Sequence, residues 1–261
     1  MSSILVWIFA FSILGGVLSV LAAASFLLLS ASMRTRLLPG LVSFAIGTLL
    51  GAAFLGLIPR AVESSADVNA HDIGATILVG LLIFFMLEKM VIWRHCHSDH
   101  CEAHTPDIEH VKEKAAASLI LVGGGIHNLV DGVLITGAFL TDIHLGVVTS
   151  LAIVAHEIPQ ETGDFAILLN GGFSRARALF FNTLTSLTTL IGAGVSYFFL
   201  RESAALVPYV LAIAAASFIY IAVADLIPGL HRRTEVSATV QQFVLILAGV
   251  LVIYFTHTIL L

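Results

Sequence analysis

The chain has 261 residues, of which 58% are hydrophobic and only 11% charged, with a formal net charge of −5. A soluble chain of this length needs a charged surface, and there are too few charges here to make one. The two cysteines, Cys96 and Cys101, imply no disulfide scaffold.

The apolar residues fall in long blocks, and a bilayer core of about 30 Å needs about 20 of them per helix. The expected fold is therefore an all-α integral membrane protein with eight transmembrane helices. The blocks predict spans at residues 4–30, 37–62, 73–93, 115–140, 145–169, 176–200, 204–230 and 236–260. No basic residue precedes the first block and no cleavage site stands out, so it is read as a retained span. Pro39 is expected in the first turn of the second span, Gly171 and Gly172 at the end of the fifth, and Pro228 with Gly229 at the end of the seventh. The whole of 1–261 reads as a single transmembrane domain.

Ten of the twelve basic residues fall at odd-numbered connections: Arg34, Arg36, Lys89, Arg94, Lys112, Lys114, Arg175, Arg177, Arg232 and Arg233. By the positive-inside rule those connections are cytoplasmic, and both termini lie on the extracytoplasmic side of the cell membrane. The second span ends Phe-Leu-Gly-Leu-Ile-Pro (Phe54 to Pro59), and the seventh ends Val-Ala-Asp-Leu-Ile-Pro (Val223 to Pro228). These spans run in opposite directions. An inverted repeat of spans 1–3 against 6–8, around a central pair 4–5, would produce this, as would chance recurrence in an apolar chain.

The ionisable residues at membrane depth are concentrated in the central pair. Span four reads Gly-Gly-Gly-Ile-His-Asn-Leu-Val-Asp-Gly from Gly123 to Gly132; span five reads His-Glu-Ile-Pro-Gln-Glu-Thr-Gly-Asp from His156 to Asp164. Each such group costs about 2.5–3.5 kcal/mol to insert, so it persists where it has a partner or a task. Neither span holds a Lys or Arg to neutralise Asp131, Glu157, Glu161 and Asp164, so another cation must. Residues three or four apart share a helix face. This sets His127 beside Asp131, His156 beside Gln160, and Glu157 beside Glu161, with Asn128 flanking the first pair. Mixed nitrogen and oxygen donors suit Zn²⁺, Fe²⁺, Mn²⁺ or similar ions, and the carboxylates suffice for one ion or two. Pro159 cannot donate to the carbonyl of Ala155, and the freed carbonyl is tolerable where it lines a site. A proton relay or a structural hydrogen-bond network is the plainer reading of such residues. Two histidines and four acids in helical register favour a metal.

The patterns His-Asn-x-x-Asp-Gly and His-Glu-x-Pro-x-Glu-x-Gly-Asp on successive spans resemble the Zrt/Irt-like (ZIP) metal transporters. The run Phe-x-Tyr-x-Ala-x-x-Asp-x-x-Pro from Phe218 to Pro228 is also similar to that family. The resemblance implies import of Zn²⁺ or related ions (Fe²⁺, Mn²⁺, Cd²⁺) toward the cytoplasm by alternating access, with one bundle moving rigidly against the other helices. It implies one metal held by His127, Asp131, His156, Glu157 and the position of Gln160. A neighbouring metal would use Asn128, Asp131, Glu157 and Asn182. Many members have a second His where Gln160 stands, and polar ligands where this chain has Ala52 and Gly56, which leaves the metal preference open.

Between spans three and four lies a His- and Cys-rich cytoplasmic loop, 95–114, with His95, Cys96, His97, His100, Cys101 and His104 as candidate ligands. Its spacing matches no closed zinc finger. It reads as a flexible segment that captures or senses metal after transit, or as a solvated loop without effect on transport. The competing function for the intramembrane site is a zinc-dependent hydrolase. However, His156-Glu157-Ile158-Pro159-Gln160 lacks the second His of His-Glu-x-x-His, and Pro159 interrupts the helix that motif requires. No enzymatic activity and no resident cofactor are expected. The expected partners are a divalent metal ion as cargo, the bilayer and, as an open alternative, a second copy in a homodimer; no nucleic acid is expected.

Overall fold

The computed structural model describes residues 2–63, 69–96, 107–170, 172–231 and 235–260. Within these, the side chains of residues 2, 31, 88, 90–96, 107–122, 170, 204 and 257–260 are left aside. Among the described residues the chain forms eight helical rods and no strand. We number them α1 (Ser2–Ile13, then Leu14–Leu18 and Ser19–Phe26), α2 (Ala31–Gly51, Ala52–Leu57, Ile58–Glu63), α3 (Ala70–Cys96), α4 (Asp107–Thr141), α5 (Ile143–Asn170), α6 (Arg175–Glu202), α7 (Val207–Tyr220, Ile221–Leu226, Ile227–Leu230) and α8 (Val236–Leu260). The protein is all-α. Six rods, all but α4 and α5, are long and apolar enough to cross a membrane. The other two carry the polar runs.

Three rods contain a π-helical stretch: Leu14–Leu18, Ala52–Leu57 and Ile221–Leu226. The last two each end one residue before an Ile-Pro pair, Ile58-Pro59 and Ile227-Pro228. Proline has no amide hydrogen and its ring crowds the preceding turn, and an i→i+5 turn is one way a helix relieves that crowding. The sequence repeat is thus matched by a repeat of local geometry.

The packing order follows the same pattern. If α1, α2, α3 and α4 are exchanged for α6, α7, α8 and α5, the contact between α4 and α6 becomes that between α5 and α1. Likewise α2 on α8 becomes α7 on α3, and α2 on α5 becomes α7 on α4. All these pairs are in contact. The pairs α1–α6, α2–α7 and α4–α5 map onto themselves and are also in contact. This is the pairing expected of two related halves around a central pair.

Sequence reading placed Pro39 in the first turn of α2, and here the structure differs. The helix starts at Ala31, because Ser30 caps it by accepting a hydrogen bond from the amide of Met33 at 3.4 Å, so Pro39 lies inside the helix. Arg34 and Arg36 accordingly sit on its first turns. The end of α5 matches expectation. Gly172 takes a left-handed φ of 81°, and the amide of Phe173 closes on the carbonyl of Leu168 at 3.1 Å. Between α4 and α5 Asp142 alone forms the connection. Its Oδ1 accepts from the amide of His144 at 2.8 Å, starting α5, and its Oδ2 pairs with Arg60 Nη2 at 3.2 Å, tying the turn to α2.

Close helix approach depends on glycine at two crossings. A Cβ on Gly132 would overlap the carbonyl of Thr189, and one on Gly192 the carbonyl of Leu129, which brings α4 and α6 together backbone to backbone. Gly47 and Gly249 do the same for α2 and α8. The apolar core gathers between α2, α4, α5 and α7, from residues such as Leu49, Leu57, Ile135, Phe139, Val148, Ile153, Leu211 and Phe218. By contrast α3 exposes Leu78, Leu82 and Ile83, and α8 exposes Val240, Phe243 and Leu247. Such faces suit lipid.

Candidate metal centre

Packing α4 against α5 places the two polar runs face to face in antiparallel register. His127 Nε2 lies 3.2 Å from His156 Nε2. From His127 Nε2 it is 3.7 Å to Asp131 Oδ2 and 3.5 Å to Glu157 Oε1; from His156 Nε2 the same oxygens are 3.6 and 3.8 Å away. The four residues each offer a ligand atom within one group no more than 4.8 Å across. A tetrahedron with metal–ligand bonds of about 2.0–2.1 Å has edges of about 3.3 Å. The observed separations are close to that.

The imidazole of His156 is oriented from behind. Its Nδ1 is 3.0 Å from the carbonyl of Ala152, one turn back. A carbonyl can only accept, so Nδ1 carries the hydrogen and the Nε2 lone pair faces the group. Phe218 of α7 packs edge-on against the same ring, with centroids 6.1 Å apart. His156, Glu157 and Asp131 are fully buried, and the side chain of His127 keeps 22% of its surface open. Access is therefore on the His127 side.

The carboxylates are the anomaly. Asp131 Oδ1 and Oδ2, Glu157 Oε1 and Oε2, and Glu161 Oε2 are buried and have no hydrogen-bond partner among the described residues. A buried unpaired charge is among the most costly features a fold can carry. Between residues 115 and 170, α4 and α5 hold no Lys or Arg. The donor chemistry and the orphaned oxygens both suit a bound divalent cation.

The remaining candidates stand around this group. Asn128 is buried; its Nδ2 donates to the carbonyl of Gly124 at 3.1 Å, and its Oδ1 accepts from Thr189 at 2.9 Å. Asn182 on α6 is buried with Nδ2 3.5 Å from the backbone oxygen of Glu161. Gln160 is half-buried, and the four donors fill a tetrahedral set before it is counted. Ala52 and Gly56 are buried on the π-helical stretch of α2, where a Cβ on Gly56 would meet Leu145 at 3.3 Å. Of the loop ligands, His95 and Cys96 lie on the last turn of α3 with side chains outside the description. His97, His100, Cys101 and His104 lie outside the described residues.

Sequence reading missed Thr188 and Thr189 of α6. Thr189 fixes Asn128, and Thr188 donates to the carbonyl of Gly125 at 2.6 Å. A run of hydroxyl residues in an otherwise apolar span, Thr183 to Thr189, was the available signal.

Residues 93–257 match the family model described as ZIP Zinc transporter. Among curated proteins, Zinc transporter ZIP13 of Pongo abelii is 33% identical over 227 residues, covering 81% of this chain and 64% of that protein. Zinc transporter YKE4 of Saccharomyces cerevisiae is 31% identical over 225 residues, covering 78% and 64%. Zinc transporter zipt-7.2 of Caenorhabditis elegans is 31% identical over 302 residues, covering 95% and 65%. The chain spans just under two thirds of the length of these relatives.

Proposed function

The chain belongs to the ZIP zinc transporter family, and from that premise we propose that it carries divalent transition metal ions, Zn²⁺ foremost, across a membrane toward the cytoplasm. Fe²⁺, Mn²⁺ and Cd²⁺ are the other cargoes the donor set accepts. In this reading α4 and α5 also cross the bilayer. Each has at least 28 residues, or about 42 Å at 1.5 Å per residue, and both lie among the six apolar rods. Eight spans put both termini on the same side, and the distribution of Arg and Lys supports the extracytoplasmic one.

The observation that carries the proposal is the convergence of His127, Asp131, His156 and Glu157, with buried carboxylate oxygens that have no hydrogen-bond partner among the described residues. A cation that fills the group offsets the burial of those charges. Leaving it must be possible too, and alternating access provides that: α4 and α5, joined through the single residue Asp142, shift as a unit against α2 and α7. Asn128, Glu161, Gln160 and Asn182 stand close enough in sequence and packing to serve a second ion or a passing one. The protein is a transporter rather than an enzyme.

Vesicles reconstituted with the protein and loaded with a metal-sensitive dye test this. External Zn²⁺ should raise the internal signal, and His127→Ala and Glu157→Ala should abolish it at equal reconstitution. The proposal fails if Zn²⁺, Fe²⁺, Mn²⁺ and Cd²⁺ all give no signal, or if both variants transport normally.

A further inference from the structure

We infer that the chain has a second ion station, built of oxygen ligands alone from Glu161 and Asp164, one to two turns beyond the mixed nitrogen and oxygen site on the seam between α4 and α5. The inference deepens the transport reading, since it gives the ion its next resting place.

Glu157, Glu161 and Asp164 are spaced four and three residues apart, so they line one face of α5. Along the axis Asp164 lies about 10 Å from Glu157, at 1.5 Å per residue. That face meets the seam of α4 on which Gly124 stands seven residues before Asp131, in the same stripe. The antiparallel register that joins Asp131 to Glu157 therefore brings Gly124 to Asp164. This is what the structure has: a Cβ built on Gly124 would lie 3.4 Å from Asp164 Oδ2, the nearest atom to it.

An acidic stripe alone would prove nothing. The second observation is Glu161, which is 2% exposed and keeps Oε2 buried without a hydrogen-bond partner among the described residues. A carboxylate so placed, with no Lys or Arg between residues 115 and 170 of α4 and α5, has a deficit that a cation can meet. Room is also present. Gly123, beside Gly124 on α4, has no described atom within 4 Å of an added Cβ.

The chemistry gives the station a use. Imidazole raises affinity for Zn²⁺ and its neighbours, whereas carboxylates alone favour harder ions and hold borderline ones less tightly. An ion passing from His127 and His156 to Glu161 and Asp164 moves from the stronger donor set to the weaker. By the charge distribution that end of α5, next to Arg175 and Arg177, is the cytoplasmic one. A descending affinity along the path favours release.

Mn²⁺ binding to the purified full chain in detergent, followed by electron paramagnetic resonance, tests the station apart from transport. The double variant His127→Ala/His156→Ala should retain at least one Mn²⁺, because the oxygen station is intact. Adding Glu161→Gln/Asp164→Asn to that background should remove it. Asp164→Asn alone, the mildest change, should weaken Mn²⁺ at this station at least tenfold while leaving Zn²⁺ at the histidine site. Gly124→Ala, which sets a methyl against Asp164, should do the same to a lesser degree. Loss of all Mn²⁺ in the histidine variant, or its persistence after Glu161 and Asp164 are neutralised, overturns the inference. Either result leaves the vesicle assay of the main site free to succeed or fail by itself.

Discussion

Glu157 buries both carboxylate oxygens between two imidazoles and a second acid, and neither oxygen accepts a hydrogen bond from the described residues. Without an ion such a group destabilises the fold that holds it. Glu157→Gln should therefore leave the metal-free protein as stable as the wild type or more so, while removing its response to zinc. Thermal unfolding in detergent with and without Zn²⁺ checks this. At a hundredfold excess over its dissociation constant, zinc should stabilise the wild type by about 2.7 kcal/mol and the variant by far less. A wild type indifferent to zinc would contradict the site. A neighbouring contact gives a change of opposite sign. Thr189→Val keeps the shape but deprives buried Asn128 Oδ1 of its donor, at a cost of about 1–3 kcal/mol with or without metal. Of these residues, helical spacing paired only His127 with Asp131, His156 with Gln160 and Glu157 with Glu161; the set His127, Asp131, His156 and Glu157, together with Gln160, followed from the family resemblance, and the structure gathers the first four. The role of Thr189 was not legible, since nothing in one sequence says which neighbour a hydroxyl will meet.

At the scale of elements, glycine does opposite things on different helices. Gly132 meets the backbone of Thr189, so Gly132→Ala should force α4 from α6 and destabilise the protein by about 1–3 kcal/mol. Gly74 on α3 has no atom within 4 Å of an added Cβ, so Gly74→Ala should be neutral or stabilise by up to about 1 kcal/mol through helix propensity. Thermal melts of the two variants side by side check the contrast; equal effects would mean that the crossing at Gly132 is looser than described. The run Gly123 to Gly125 did not say which glycine touches a partner. Among the described residues, a Cβ on Gly124 would have only Asp164 within 4 Å and one on Gly123 nothing. Two of the three π-helical turns were legible only as a recurring Leu-Ile-Pro, and the one at Leu14–Leu18 carried no such mark. Proline in an apolar helix announces a local defect, and whether it becomes a kink, a break or a wide turn depends on what packs there. The start of α2 was misplaced for a related reason. The capping hydroxyl of Ser30 overrode the expectation that Pro39 begins a helix.

Over the whole molecule, composition carried most of what could be read. Few charges and long apolar blocks led to an all-helical membrane protein, and each predicted block corresponds to one rod. The ends differ where polar residues continue a helix past its apolar part: α4 begins at Asp107 rather than near residue 115, and α3 runs to Cys96. This bears on the loop rich in His and Cys. Residues 97–106 are what remains between the two helices, so a ligand-free flexible linker of the same length can replace them without touching either helix. If those ligands only capture or sense the ion after transit, the exchanged protein should keep its maximal uptake rate in loaded vesicles. Its apparent affinity or feedback by internal metal should change instead. The donors assembled by α4 and α5 need nothing from that connection, since all four come from residues 127–157. Uptake that vanished in the exchanged protein at normal expression would place the loop on the transport route itself.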